Sequence, residues 1–399
     1  MALKLEYHKY FTVFKYFLYN NENSWNSRLT FFISQLYLYL RIKIYIVKSK
    51  YILPLFLLIQ IIILKILPFF PDYVEGFYSN NLYIRISHFS RSILGKIPFS
   101  VGDCIYAVLI VSIISWFWKI RKTWRADWKD HILKILGKVS VFYFLFHLLW
   151  AFNYYREPLF EKMEIKREYS DADLLAFTKR LIAKTNEVQY QITKNDSSKV
   201  VFPYSQKESF KMILNGYDNL AKEHPYFKYE TLSVKKSLFS VPLTYMGFAG
   251  YLNPFTNEAQ VNDLLPMYTF PLTTSHEMAH QIGFASENEC NFIGVLASVK
   301  NDNLYYQYAG YSFTLRYCLG IWQHKNEKIF KELKKKVNVG ILKNYQESQD
   351  FWKKYDTFID KGFHFLYDNF LKSNNQKDGM ESYSKFIDLT LNYYKGKDF

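Results

Sequence analysis

His276 and His280 lie four residues apart in the run His276-Glu277-Met278-Ala279-His280. On a helix this spacing places both imidazoles on one face, where they can share one metal ion. Zinc prefers neutral imidazole nitrogens at about 2.0–2.1 Å. Glu277 cannot readily face the ion together with both histidines, but it can reach a water molecule beside the ion and accept its proton. The motif predicts a zinc site for hydrolysis, with Glu277 as general base.

A third ligand is expected shortly after the motif. Metzincins would require a histidine where Ser286 stands, and serine is a poor zinc ligand, so that class is excluded. Gly283 can end the first helix and Ser286 can cap a second one, which would project Glu287 toward the histidines. Glu289 is the alternative ligand.

Asn291 lies four residues after Glu287, on the same helical face. The order of these residues resembles that of gluzincins. The resemblance implies that a glutamate of the second helix completes the zinc site, and that a residue four positions later hydrogen-bonds a ligating histidine. Asn291 would then hold the imidazole of one histidine in a single tautomer.

Four segments resemble a bacterial family of membrane-anchored HExxH proteins, domain of unknown function 3810. They are residues 153–156 (NYYR), 247–256 (GFAGYLNPFT), 276–281 (HEMAHQ) and 285–292 (ASENECNF), and the tail around residues 371–376 with Gly379 and Tyr383 also fits. Cys290 stands where such motifs usually have alanine. The resemblance implies a zincin-like fold and no known substrate.

Three apolar segments are candidates to span a bilayer, at about residues 52–70, 102–119 and 138–153. Residues 31–47 are also apolar but carry Arg41 and Lys43, so we expect them to be interfacial rather than spanning. The predicted organisation is a basic or interfacial segment over residues 1–50, a three-helix membrane anchor over 51–155, and a catalytic domain over 156–399.

Charge is concentrated next to the apolar segments. Residues 1–138 hold 19 Lys/Arg and 7 Asp/Glu, whereas residues 139–399 hold 32 and 29. This distribution argues against nucleic acid as a partner and favours an orienting role at a membrane. The positive-inside rule places the N-terminus and the loop around residues 119–138 in the cytoplasm. We therefore expect a multi-pass protein of the bacterial inner membrane, with an extracytoplasmic catalytic domain.

The remainder is predicted to be mainly helical with a small β-sheet. Ser170 with Asp173, and Ser205 with Glu208, have the spacing of capped helix starts. Residues 243–262 predict two short strands around a turn at Asn253. Cys290 and Cys318 are interpreted as small buried residues rather than a disulfide.

The predicted function is a membrane-anchored zinc metallopeptidase that acts on a peptide or protein. Two alternatives share the site: a zinc-binding envelope protein that catalyses nothing, and a zinc amidase acting on cell-wall peptides. The intact Glu277 favours an enzyme, because a merely structural zinc site does not need that carboxylate. The oligomeric state is left open.

Overall fold

The computed structural model describes residues 49–380 and 385–399. Most of this chain is helical and three short strands form one sheet, which confirms the predicted mainly helical class. The interfacial stretch at residues 31–47, nearly all of the 1–50 segment, and Tyr383 lie outside the described residues. Of the described residues, 49–58 with Asp127–Val141 form one compact unit, and Ile59–Ala126 with Phe142–Phe399 form another.

Helices of six residues or more are numbered in chain order. They are α1 Ser49–Phe69, α2 Tyr83–Leu94, α3 Val101–Ile120, α4 Trp128–Leu149, α5 Asp171–Thr193, α6 Gln206–Glu223, α7 Ser240–Tyr245, α8 Phe270–Gln281, α9 Glu287–Val299, α10 Leu304–Lys325, α11 Glu327–Lys334, α12 Val339–Lys353, α13 Phe358–Ser373 and α14 Phe386–Tyr393. A π-helix, Val74–Leu82, leads directly into α2, and a 3-10 turn, Ala151–Tyr155, follows α4.

Helices α1, α3 and α4 are long and apolar enough to cross a membrane. Their apolar side chains are largely exposed, for example Ile52, Val108 and Ile114, as expected of a surface that faces lipid. The third helix differs from its prediction, since it runs over Trp128–Leu149 instead of residues 138–153. Its first turns carry charged residues, which the apolar pattern assigned to a loop.

Helices α5 and α6 begin as predicted. The Ser170 hydroxyl accepts from the backbone N–H of Asp173, and the Asp173 carboxylate accepts from the Ser170 backbone in return. Ser205 and Glu208 repeat this reciprocal capping. Each box satisfies two backbone donors that the first turn of a helix leaves without partners.

The sheet has the order β1-β3-β2. Strands β2, Gly250–Asn253, and β3, Glu258–Val261, pair antiparallel around the predicted turn. Strand β1, Val234–Lys236, pairs parallel with β3 and was not predicted. Three residues with two lysines lack an apolar alternation, so local sequence gives no strand signal here.

The first turn of α3 is bonded to this sheet. Glu258 of β3 is fully buried, and its carboxylate accepts from the backbone N–H groups of Val101 and Gly102 at 3.2 and 2.6 Å. Lys235 of β1 pairs with Glu258 at 3.3 Å and donates to the carbonyls of Leu94 and Phe99. A carboxylate at a helix N-terminus is stabilised by the helix dipole. The start of a candidate membrane span is therefore joined to the sheet by buried polar contacts.

Candidate metal centre

Helices α8 and α9 bring His276, His280 and Glu287 together. The Nε2 atoms of His276 and His280 lie 3.2 and 3.5 Å from Oε2 of Glu287. These three side chains form a group whose ligand atoms could hold one metal ion. His280 and Glu287 are buried, whereas the side chain of His276 is 11% exposed. Solvent can therefore approach the group next to His276.

The two helices can approach closely because Gly294 of α9 faces His276. A Cβ at position 294 would lie 3.1 Å from the His276 backbone nitrogen. The turn between the helices uses Gly283, whose φ of +95° favours glycine. Ser286 stands at the N-cap of α9 as predicted. Its hydroxyl, however, contacts the Asn288 Oδ1 at 2.5 Å and makes no cap hydrogen bond.

Hydrogen bonds orient both imidazoles. His276 Nδ1 donates to Asn291 Oδ1 at 2.8 Å, and His280 Nδ1 donates to the Phe284 carbonyl at 2.8 Å. Both acceptors are oxygens that cannot donate, so each Nδ1 carries the hydrogen. In the neutral rings each Nε2 then presents a lone pair toward Glu287, which is the tautomer that a metal ligand requires.

A positive charge between His276, His280 and Glu287 would stabilise these three side chains. Glu287 Oε2 is buried and accepts no hydrogen bond from the described residues, although both Nε2 atoms lie close to it. Burial alone would raise the pKa of Glu287, but the nearby histidines hold this pKa well below its usual range. Tetrahedral zinc with ligands at about 2.0–2.1 Å separates those ligands by about 3.3 Å. The two Nε2–Oε2 separations of 3.2 and 3.5 Å lie close to this value, so these residues fit zinc.

Glu277 lies beside the group without joining it. Its Oε2 is buried and has no hydrogen-bond partner among the described residues, and burial raises the pKa of Glu277 to about 7. A Cβ at Gly250 of β2 would lie only 2.6 Å from Glu277 Oε1. The backbone of the edge strand β2 therefore passes directly over the carboxylate, which only glycine permits.

The alternative ligand Glu289 is placed elsewhere. Its Oε1 accepts from the backbone N–H of Leu159 at 2.6 Å, and it is not part of the metal-ligand group. Burial raises the pKa of Glu289 to about 7. The structure thus brings Glu287, and not Glu289, to the histidines.

The C-terminal end of α8 rests on residues that precede the predicted catalytic domain. The Tyr83 hydroxyl lies 3.0 Å from the Gln281 carbonyl, and the indole N–H of Trp150 donates to the His280 carbonyl at 3.3 Å. The Gln281 side chain donates to the carbonyls of Ser233 and Asn257 beside the sheet. The motif helix is therefore held on two sides by buried hydrogen bonds.

Arg156 has a role that the sequence did not reveal. It is buried, and its guanidinium donates two 2.7 Å hydrogen bonds to the Glu75 carboxylate. It also donates to the Gly283 carbonyl at 2.7 Å and stacks over Phe284, whose carbonyl orients His280. A buried arginine needs a carboxylate partner, but sequence alone could not show that this partner lies 81 residues away.

Tyr367 of α13 is a second residue that the sequence did not single out. Its hydroxyl donates to Glu287 Oε1 at 2.8 Å, and its ring packs against Phe248. Among 35 tyrosines no spacing distinguishes it. Tyr306 and Tyr308 of α10 follow the motif more closely in sequence, but both are buried in the core and bonded to Ser209 and Asn344.

His364 and the cysteines lie outside the metal-ligand group. His364 pairs with Asp360 on the surface of α13. Cys290 and Cys318 are buried and unbridged, which confirms their interpretation as small buried residues. The Cys290 thiol donates to the Phe284 carbonyl at 3.1 Å, beside His280.

Comparison with known proteins identifies a family. A family model described as a protein of unknown function, DUF3810, matches residues 78–391. No curated protein and no solved structure matches the chain. The matched region includes α3, α4, the sheet and every residue of the candidate metal centre. Since it covers most of the sequence, the chain belongs to the DUF3810 family.

Proposed function

We propose that this chain is a membrane-anchored zinc metallopeptidase with a gluzincin-like site. The observation that carries the proposal is the convergence of two imidazole Nε2 atoms on one buried carboxylate oxygen, at 3.2 and 3.5 Å. His276, His280 and Glu287 would hold the ion, and Asn291 would keep His276 in the ligating tautomer. Two histidines and one carboxylate leave a fourth position open, as in catalytic rather than structural zinc sites.

The chemistry divides between the ion and Glu277. Zinc supplies Lewis-acid polarisation of a carbonyl and a lower pKa for water. Glu277 would accept the proton of the attacking water at its carboxylate and pass it to the leaving amine nitrogen. A carboxylate in a nearly dry environment binds that proton more readily than one in water. Its Oε2 atom is buried without a hydrogen-bond partner among the described residues, and the Gly250 backbone lies close to its Oε1 atom.

Three helices with lipid-type surfaces support a membrane location. We propose the bacterial inner membrane, with α8 and α9 on the extracytoplasmic side, because the basic residues cluster before α1 and between α3 and α4. Trp150, directly after α4, contacts His280. The site would therefore act on polypeptides close to the membrane surface.

The first prediction separates zinc binding from turnover. In full-length protein reconstituted in nanodiscs, wild type should contain one zinc per chain, and Glu277→Gln should retain it because Glu277 is no ligand. Hydrolysis of a fluorogenic peptide library should fall by about 10²–10⁴-fold, the usual contribution of a general base. His280→Ala should lose both zinc and activity.

Glu327→Gln is the matched control, since Glu327 is an exposed residue of α11 that pairs with Lys331 on the surface. It should match wild type in both measurements. Zinc retained without turnover in wild type would favour the non-catalytic envelope protein. Cleavage of cell-wall peptides alone would favour the amidase. Undiminished hydrolysis by Glu277→Gln would refute the peptidase mechanism.

A further inference from the structure

Helix α13 carries an apolar face that the described protein does not cover. Phe358, Phe365 and Leu366 are 84, 70 and 61% exposed. They follow an i, i+7, i+8 spacing and so lie along one side of the helix. Three large side chains exposed in one stripe are unusual on a surface that faces water and mark an interaction site.

The adjoining side of α13 contacts the end of a candidate membrane span. The Phe370 ring lies 6.1 Å from that of Phe146, in the last turn of α4, and 6.4 Å from that of Tyr154. Phe370 itself is 36% exposed, so the apolar surface of α13 continues into the lipid-type surface of α4. This continuity places α13 at the level where α4 leaves the membrane.

A second apolar patch lies at the start of another span. Leu238 and Val241 are 59 and 54% exposed. The backbone N–H of Leu238 donates to Asp103, in the first turn of α3, at 2.7 Å. The start of α3 and the end of α4 lie on the same side of a bilayer, because the chain crosses it twice between them.

The two patches are connected. Tyr245, at the end of α7, packs edge-on against Tyr355, just before α13, with ring centroids 5.1 Å apart. Exposed apolar residues thus extend from the first turn of α3 to α13. Such a surface, beginning and ending at membrane exits, matches the headgroup and upper acyl layer of a bilayer.

We propose that α13 lies in the interfacial layer of the lipid bilayer, with Phe358, Phe365 and Leu366 between the acyl chains. Lys361 and Lys372 border this stripe on one side, three residues after Phe358 and seven after Phe365, where their long side chains can extend to the lipid headgroups. The bilayer is favoured over a second copy of the chain because the apolar stripe continues into α4, which lipid already surrounds. The proposal does not depend on the proposed hydrolysis.

The lipid contact would have one structural consequence for the metal centre. Tyr367 lies on the same helix and donates to Glu287. If the membrane fixes one side of α13, it also fixes the position of Tyr367 on the other side, and Tyr367 orients the Glu287 carboxylate. The bilayer would be a structural part of the site's surroundings.

Site-directed spin labelling tests this placement. Full-length protein with Cys104→Ser would carry a label at Phe365→Cys, in nanodiscs of phosphatidylcholine and phosphatidylglycerol. Cys290 and Cys318 are fully buried and should not react. Oxygen concentrates in lipid and a nickel chelate in water, so the ratio of the two accessibilities reports the environment. We expect this ratio to be several-fold higher at position 365 than at the matched control Lys328→Cys, an exposed position of α11.

A second variant guards against a local disturbance by the label. Leu366→Cys should give the same high ratio, and all labelled variants should keep the zinc content of the unlabelled protein. Equal access of the nickel chelate at positions 365 and 328 would overturn the proposal. Protection of position 365 from both reagents would also overturn it, because that outcome indicates burial against protein, as in a second copy of the chain.

Discussion

At the scale of single residues, hydrogen bonding determines which imidazole atoms face Glu287. Asn291 and the Phe284 carbonyl accept from the two Nδ1 atoms, which leaves both Nε2 atoms directed at the carboxylate. Two lone pairs and an anionic oxygen at about 3.3 Å repel one another unless a metal cation or a proton lies between them. The proposed function follows from this local requirement.

Gly250 gives a prediction at the same scale. Gly250→Ala would place a Cβ 2.6 Å from Glu277 Oε1 and 2.8 Å from the Gln260 carbonyl, so the strand or the carboxylate must move. Because misplacement of a catalytic group by 1 Å can cost about 10²-fold, we expect a loss of peptide hydrolysis of that order. Zinc content should stay unchanged, since no ligand is displaced.

Gly320→Ala provides the control for this substitution. A Cβ at position 320 of α10 would meet no atom within 4 Å. It should leave hydrolysis intact and slightly stabilise the helix, by up to about 1 kcal/mol. Full activity of Gly250→Ala would show that β2 does not confine Glu277.

At the scale of elements, the turn between α8 and α9 is held by charge. Glu75, in the first turn of the π-helix, binds Arg156 and Lys162, and Arg156 donates to the Gly283 carbonyl. Burial raises the pKa of Glu75, but the two cations have the larger effect and lower this pKa below its usual value. The pairing couples the π-helix to the turn that presents His280.

A pH dependence of stability follows from this pairing. A depressed carboxyl pKa means that the unfolded state binds more protons near pH 4, so Glu75 stabilises the fold above that range. The stabilisation should be lost as pH falls through the folded pKa. Thermal unfolding in detergent should show a steeper loss below about pH 4.5 for wild type than for Glu75→Gln. Parallel pH curves for the two proteins would contradict the assignment.

At the scale of the whole molecule, the candidate membrane helices and the segments next to them form buried contacts with the rest of the protein. The carboxylate of Glu258 is bonded to the start of α3, and α8 ends against Tyr83 and Trp150. Residues Ile59–Ala126 and Phe142–Phe399 accordingly form one compact unit. Groups on both sides of residue 156 are buried in shared contacts.

Truncation tests this integration. A fragment of residues 156–399 would keep Arg156 but lose its buried partner Glu75, and a buried unpaired charge typically costs about 3–5 kcal/mol. We expect the fragment to be insoluble or to unfold well below the full-length protein by circular dichroism. A soluble fragment with full zinc content and unchanged melting temperature would show that the anchor is dispensable.

The sequence by itself determined those features that depend on neighbours along the chain. Helical spacing brings His276 and His280 to one face, capping residues start α5 and α6, and apolar length marks α1 and α3. Each of these features depends on residues that are close together along the chain, and the period of the helix relates their spacing to their positions in space. The start of α4 was misplaced because charged residues occupy its first turns.

Only the tertiary structure decided what depends on residues far apart. Whether Glu287 or Glu289 faces the histidines depends on how α9 packs on α8, since both lie in the same helical turn. The roles of Arg156, Tyr367 and Gly250 depend on partners that sequence separation does not indicate. Local spacing determines on which face of a helix or strand a side chain lies. Long-range packing of the core determines which residues that side chain contacts.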